Sequence, residues 1–217
     1  MKLKNSVIYD LSIVLVGNFN PSIITPSWLA YKKLIRESDS ENADITIIHP
    51  EISHFSLSFC EFQVSMDKCI ITAENEADFE LIRDLSISIF SFLNETPISG
   101  IGINHNMHFG LENEDDYNRF GDWLAPLNIW NNHLRNPKLL ELKVIEPFED
   151  NNPVKNMITV TTSDKISIYG VRYQLNYHIE LSRVKNKLPA EVISKHWHIS
   201  FEKAKQILNS TIEKFYA

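Results

Sequence analysis

Two stretches of the chain read as the same succession of elements, strand, helix, three strands, helix, over roughly residues 6–95 and 96–217. Each opens on an apolar strand that ends in an Asn-x-Asn step, Asn18-Phe19-Asn20 and then Asn104-His105-Asn106. Each next enters a helix with a Trp-Leu pair, Trp28-Leu29 and Trp123-Leu124. A unit of about 100 residues with a half-buried sheet gains by covering its apolar face and open edge with a copy of itself. The expected fold class is therefore α+β, a curved and largely antiparallel sheet made of two pseudo-repeated β-α-β-β-β-α halves. Residues 1–95 and 96–217 would form these halves, packed as one continuous domain with the helices on one face.

Composition narrows the choice of class. Of 217 residues, 43% are apolar and 11% aromatic, enough for a full core and too many for disorder. The formal charge of −7 argues against a sequence-independent grip on nucleic acid, which needs a concentrated basic surface. Lysines do gather at Lys32 and Lys33 and over Arg183–Lys187, but beside acids or at element ends, as on a solvated face. Cys60 and Cys69 flank a hairpin turn expected at Asp67-Lys68, which would set Cys69 opposite Met66 and leave Cys60 out of disulfide reach. A reducing cytoplasm fits that reading. Lys2, Lys4 and the apolar stretch after them have the outline of a secretion signal. Asp10 interrupts it, no small-residue cleavage site follows, and Val7 to Val16 continues as a strand. No run of eighteen apolar residues exists, so no membrane span is expected.

Residues 6–17 read as a buried strand stopped by Gly17 and Asn18. Asn20 or Ser22 can cap the next helix, which has Pro26 in its first turn and is expected to run to about Arg36, with a polar loop from Glu37 to Asp44. Ile45–His49 is a short strand. From His54 to Val64 the apolar positions alternate as Phe55, Leu57, Phe59 and then change phase to Phe62 and Val64, which suggests a β-bulge. Phe79, Ile82, Leu85, Ile89 and Leu93 recur at helical spacing behind an acidic start. In the second half a strand over 98–109 precedes Asn113-Glu114-Asp115-Asp116. These acids, with Glu112, read as helix-dipole partners rather than a metal site. Residues 126–137 are irregular, 139–148 and 157–162 read as strands, and 171–181 alternates strictly. The last element, about 189–215, is one long helix or two broken near His198.

No motif announces catalysis. There is no HExxH, no CxxC, no GxSxG and no calcium-loop spacing. His105 with His108 would point to opposite faces of a strand, and His196 with His198 would diverge on a helix, so neither pair chelates through its local structure. Neither a cofactor nor a metal is expected. The junction Val16-Gly17-Asn18-Phe19-Asn20-Pro21 is too poor in glycine for a nucleotide cradle; Asn18 and Asn20 tie down the turn or contact a ligand. The stronger binding candidate is the polar side of the alternating strand, Arg172, Gln174, Asn176, His178 and Glu180; Asn104 of the second Asn-x-Asn step is a separate binding candidate. Such a row can read a peptide or polar ligand, and His178 beside Glu180 can sense pH. Its bland alternative is the wet side of an antiparallel sheet.

The segments Val16-Gly17-Asn18-Phe19-Asn20-Pro21, Pro26-Ser27-Trp28-Leu29 and Ile101-Gly102-Ile103-Asn104 resemble those of a sporadically distributed family of uncharacterised bacterial proteins. The resemblance carries over no catalytic residue. The patchy distribution it implies points to mobile or defence-associated gene neighbourhoods. The duplicated order also resembles the saddle of the TATA-binding protein, a likeness of architecture that does not transfer DNA binding. The expected function is a non-enzymatic cytoplasmic interaction module, an accessory, sensor or inhibitory subunit with another protein subunit as partner, and a homo-oligomer is compatible with it. The alternative is a hydrolase or nuclease with dispersed residues, using His105, His108 or His178 with nearby carboxylates. A third is nucleic-acid binding through the basic patch near Arg183 to Lys187.

Overall fold

The computed structural model describes residues 8–185 and 188–217. Its centre is a nine-stranded antiparallel sheet of order β2-β3-β4-β5-β1-β6-β9-β8-β7. In chain order the first part supplies β1 (Ile8–Gly17), α1 (Pro26–Tyr31), α2 (Glu37–Glu41), β2 (Asp44–His49), β3 (Ile52–Leu57), β4 (Cys60–Ser65), β5 (Lys68–Ala73) and α3 (Phe79–Phe92). The second supplies β6 (Ile98–Gly110), α4 (Glu114–Leu124), β7 (Glu141–Glu146), β8 (Val154–Ser163), β9 (Gly170–Glu180) and α5 (Pro189–Tyr216). The class is α+β, as expected, and α5 is one unbroken helix of 28 residues. No helix among the described residues is long and apolar enough to cross a membrane.

Alternation decides which side of each strand is buried. Leu11, Ile13 and Leu15 of β1, Ile101 and Ile103 of β6 and Leu175, Tyr177 and Ile179 of β9 are buried on one side. On that side α3 contributes Ile82, Leu85 and Ile89 and α5 contributes Val192, Ile193 and Trp197. A second cluster joins Phe109, Phe120 of α4, Leu175, Leu208 and Phe215. Tyr9 packs against both clusters, so the core is continuous from one to the other.

Five expectations change. The first part holds four strands after its helices, not three, because the phase change after Leu57 is a hairpin. Leu57 faces Cys60 across a two-residue turn, Ser58-Phe59, which brings Phe55, Leu57, Cys60, Phe62 and Val64 to one side without a bulge. The next turn is Met66-Asp67, one residue earlier than read, so Cys69 lies opposite Val64 and not Met66. Both cysteines are buried and free.

The helix from Pro26 stops at Tyr31. Lys33 takes φ 59°, and the amides of Lys33 and Leu34 close back onto Ala30 and Leu29, a left-handed cap that ends the helix and lets α2 begin where a loop was expected. Its N-cap is Thr25, whose hydroxyl accepts the Trp28 amide at 3.3 Å, rather than Asn20 or Ser22. The two Asn-x-Asn steps are not equivalent either. Asn18 to Asn20 follow the end of β1, whereas Asn104 to Asn106 lie in the middle of β6. Within the basic stretch Arg183–Lys187, Asn186 and Lys187 lie outside the described residues, as does the start of the first strand before Ile8.

Candidate functional site

The side of the sheet opposite the helices carries the predicted row. Arg172, Gln174, Asn176, His178 and Glu180 alternate along β9 with the buried set and are half-exposed, not fully wet. Pairing places Asn106 beside Gln174, Asn104 beside Asn176 and Gly102 beside His178 on β6, with Asp10, Ser12 and Val14 beyond them on β1. Asn104 therefore joins the row. Asn18 and Asn20 do not, since both stand past the end of β1; the Asn20 side chain accepts the Ser22 amide at 3.1 Å and shapes the turn.

Across three strands the row is bonded to itself. The Asn176 amide donates to the Asn104 carbonyl, and the Asn104 amide donates to Ser12 Oγ at 3.3 Å. One step along the strands, Arg172 donates to Asn106 Oδ1 at 2.8 Å and the Asn106 amide donates to Asp10 Oδ1 at 2.7 Å. Each bond fixes a rotamer, so the polar groups on this face hold a set pattern rather than a mobile fringe. Ser12, Asp10 and Asn106 are buried although no helix covers them.

His178 sits over β6 at Gly100, one of the glycines of that strand. A Cβ on Gly100 would come within 2.9 Å of His178 Cε1, so the glycine leaves room for the ring. Burial holds His178 below the ordinary histidine range. Lys155, its partner on β8, adds to this, and Glu180 at 3.7 Å opposes it.

At the other end of the row lies a cluster with no local signal in the sequence. His108 Nδ1 lies 2.7 Å from Ser163 Oγ, and its Nε2 lies 3.5 Å from Asp10 Oδ2, which also takes Lys165 Nζ at 3.2 Å. A proton on Nε2 faces the carboxylate, which leaves Nδ1 to accept the Ser163 hydroxyl. With Arg172 these groups line an open cleft of about 320 Å³. Burial lowers the His108 proton affinity; Lys165 and Arg172 reinforce this and Asp10 opposes it. The members come from β1, β6, β9, the end of β8 and the segment after it, which only strand pairing unites. The one sequence clue was Asp10, a charge inside an otherwise apolar strand.

The other histidines have different surroundings. His105 faces α5, on the opposite side from His108, and is fully buried between Tyr9, Ser200 and Phe201. Buried His196 meets the Tyr177 hydroxyl at 2.9 Å. Among the described residues no three histidine, cysteine or acidic side chains converge as a metal set. Arg183 lies over the Phe148 ring and donates to the Glu149 carbonyl, so it serves the loop beside it. No family model matches the chain, and no curated protein matches it.

Proposed function

We propose that the chain is a non-enzymatic interaction module, an accessory, sensor or inhibitory subunit that works in the bacterial cytoplasm beside a separate effector of a defence or toxin–antitoxin system. The observation that carries this reading is the bonded row Ser12–Asn104–Asn176 on a sheet face that no helix covers. A pre-fixed pattern of amides and hydroxyls recognises another polar surface without first losing side-chain freedom. We also read the fold as two pseudo-equivalent halves of a curved platform. Its support is the strand order, in which β1 lies beside β5, β6 lies beside β9, and β1 and β6 meet at the middle. Low exposure of Ser12, Asn106 and Gly102 on the uncovered side supports concavity there. The likeness to the TATA-binding saddle rests on this order alone. The face mixes Lys143, Lys155 and Arg172 with Asp10, Glu141 and Glu180, so a protein surface suits it better than a phosphate backbone.

The reading is tested with a photo-crosslinking residue at Gln174 and a control at exposed Glu202 on α5. The expected outcome is one stoichiometric partner captured from position 174 only, and lost on Asn176→Arg. Equal capture from both positions, or capture insensitive to Asn176→Arg, overturns it.

A second reading rests on the Ser163–His108–Asp10 geometry. Here the Ser163 oxygen attacks an acyl carbon, His108 Nδ1 takes the hydroxyl proton and returns it to the leaving group, and Asp10 steadies the imidazolium. This deepens the hydrolase alternative and drops His105, which is sealed under α5, from it. The Lys165 amide, 3.3 Å from Ser163 Oγ, ties the same hydroxyl into a local turn, which favours the binding reading. A fluorophosphonate probe separates the two. Labelling at Ser163 that disappears on His108→Gln establishes the hydrolase, and an unlabelled protein dismisses it.

A further inference from the structure

β2 is an outer strand whose six residues are all exposed, and three of them are isoleucines, Ile45, Ile47 and Ile48. Outer strands are ordinarily guarded by lysine, proline or charge, because their unpaired amides and carbonyls invite another chain. The opposite outer strand is guarded in this way, since β7 carries Glu141, Lys143 and Glu146. β2 has neither lysine nor proline, and its only charged or ionisable side chains, Asp44 and His49, stand at its two ends.

The register with β3 makes this edge complementary to itself. Asp44 pairs Ser56 and Ile45 pairs Phe55, but the next pairs are Ile47 with His54, Ile48 with Ser53 and His49 with Ile52, so Thr46 is left over as a bulge. Ser56, His54 and Ile52 lie on the uncovered side of the sheet, with Phe55 and Ser53 on the helix side. Asp44, Ile47 and His49 therefore share one side, and Ile45 and Ile48 the other. Two antiparallel copies related by a two-fold axis normal to the sheet must set same-side residues opposite each other. In a regular strand, positions five apart point to opposite sides and could not pair in this way. The bulge brings them into agreement. One register then satisfies every flanking position, with Asp44 against His49 of a second copy and Ile45 against its Ile48. His49 Nδ1 already accepts the Glu51 amide at 3.3 Å, which puts the ring proton on Nε2, free to donate outward to a carboxylate.

We propose that β2 is a homodimer interface, pairing antiparallel with β2 of a second copy through two Asp44–His49 contacts and two Ile45–Ile48 contacts. The sheet would then run through both chains with its uncovered sides together.

The test is sedimentation velocity over a range of concentrations on the wild-type chain and on three variants, Asp44→Lys, His49→Asp and the double substitution. Both positions are exposed, and circular dichroism confirms that the fold is retained. The expected result is a wild-type dimer, weakened about tenfold or more by either single change, because His49→Asp sets two carboxylates opposite each other and Asp44→Lys leaves the His49 Nε2 proton without an acceptor, and recovered in the double variant. A monomer at every concentration, a dimer insensitive to the single changes, failure of the double variant to recover, or an open-ended polymer overturns the proposal.

Discussion

Tyr9 donates its phenolic proton to Nδ1 of His105 across 2.5 Å, from β1 to β6, and so decides which ring nitrogen carries hydrogen. Nε2 then donates to Ser200 Oγ at 3.1 Å, and that hydroxyl donates to the Trp197 carbonyl at 2.7 Å. The relay is neutral throughout and ties two central strands to α5. Burial, with Lys205 adding to it, takes the His105 pKa from 6.5 to about 3.

Acid should therefore weaken the fold. Between pH 6.5 and about 3 the unfolded chain binds a proton at residue 105 that the folded chain refuses, so stability falls as pH falls through that window. The slope from this one group approaches about 1.4 kcal/mol per pH unit. His108 and His178, both lowered, act in the same direction. Urea unfolding at several pH values should show a shallower dependence in His105→Gln, and an unchanged slope would remove His105 as its source.

Gly17→Ala should destabilise the fold by about 2 kcal/mol. A Cβ there would stand 2.3 Å from the Pro97 carbonyl oxygen, a backbone atom with no rotamer to move to, where the register of β1 on β6 shifts. Thermal unfolding checks it, and a melting temperature equal to that of the wild type would contradict the close approach.

Lys33→Gly should do the reverse. Residue 33 holds φ 59° at the cap of α1, a conformation that costs a side-chain-bearing residue about 1 kcal/mol and glycine almost nothing. A gain of that order in chemical denaturation is expected, and a loss would mean that the lysine side chain matters more than its backbone.

Gly100→Ala should move a titration rather than the fold. The new methyl meets the His178 ring at 2.9 Å, and the ring can swing toward solvent. Its pKa, read by NMR, should then rise toward the ordinary histidine value, because the burial that lowers it is relieved. A titration unchanged from the wild type would place the ring elsewhere.

Much of the fold was legible because strong periodicity leaves few options. The alternation from Val171 to Leu181 and the helical spacing from Phe79 to Leu93 both returned as elements with nearly those limits. The phase change at Ser58-Phe59 misled because a two-residue turn and a bulge leave the same trace in an apolar pattern, and neither Gly nor Asn marks this turn. The end of α1 was hidden for a similar reason, since a lysine occupies the left-handed position that usually announces itself as glycine. In the candidate site, the β9 row could be read from one strand. The company of Asp10, His108 and Ser163 could not, because 98 residues separate the first pair and only the pairing of β1 with β6 brings them together.

The place of β1 also bears on how the chain is made. This strand is synthesised before both of its neighbours, yet it sits in the middle of the sheet, with β5 on one flank and β6 on the other. Its partners lie far downstream, Ala73 for Leu11 and His108 for Ile8. The β2–β5 meander, closed by turns of two residues, can assemble while synthesis continues, whereas β1 must wait until β6 has been made before both its edges are matched. During that interval the apolar run Ile13-Val14-Leu15 is open to non-native contacts.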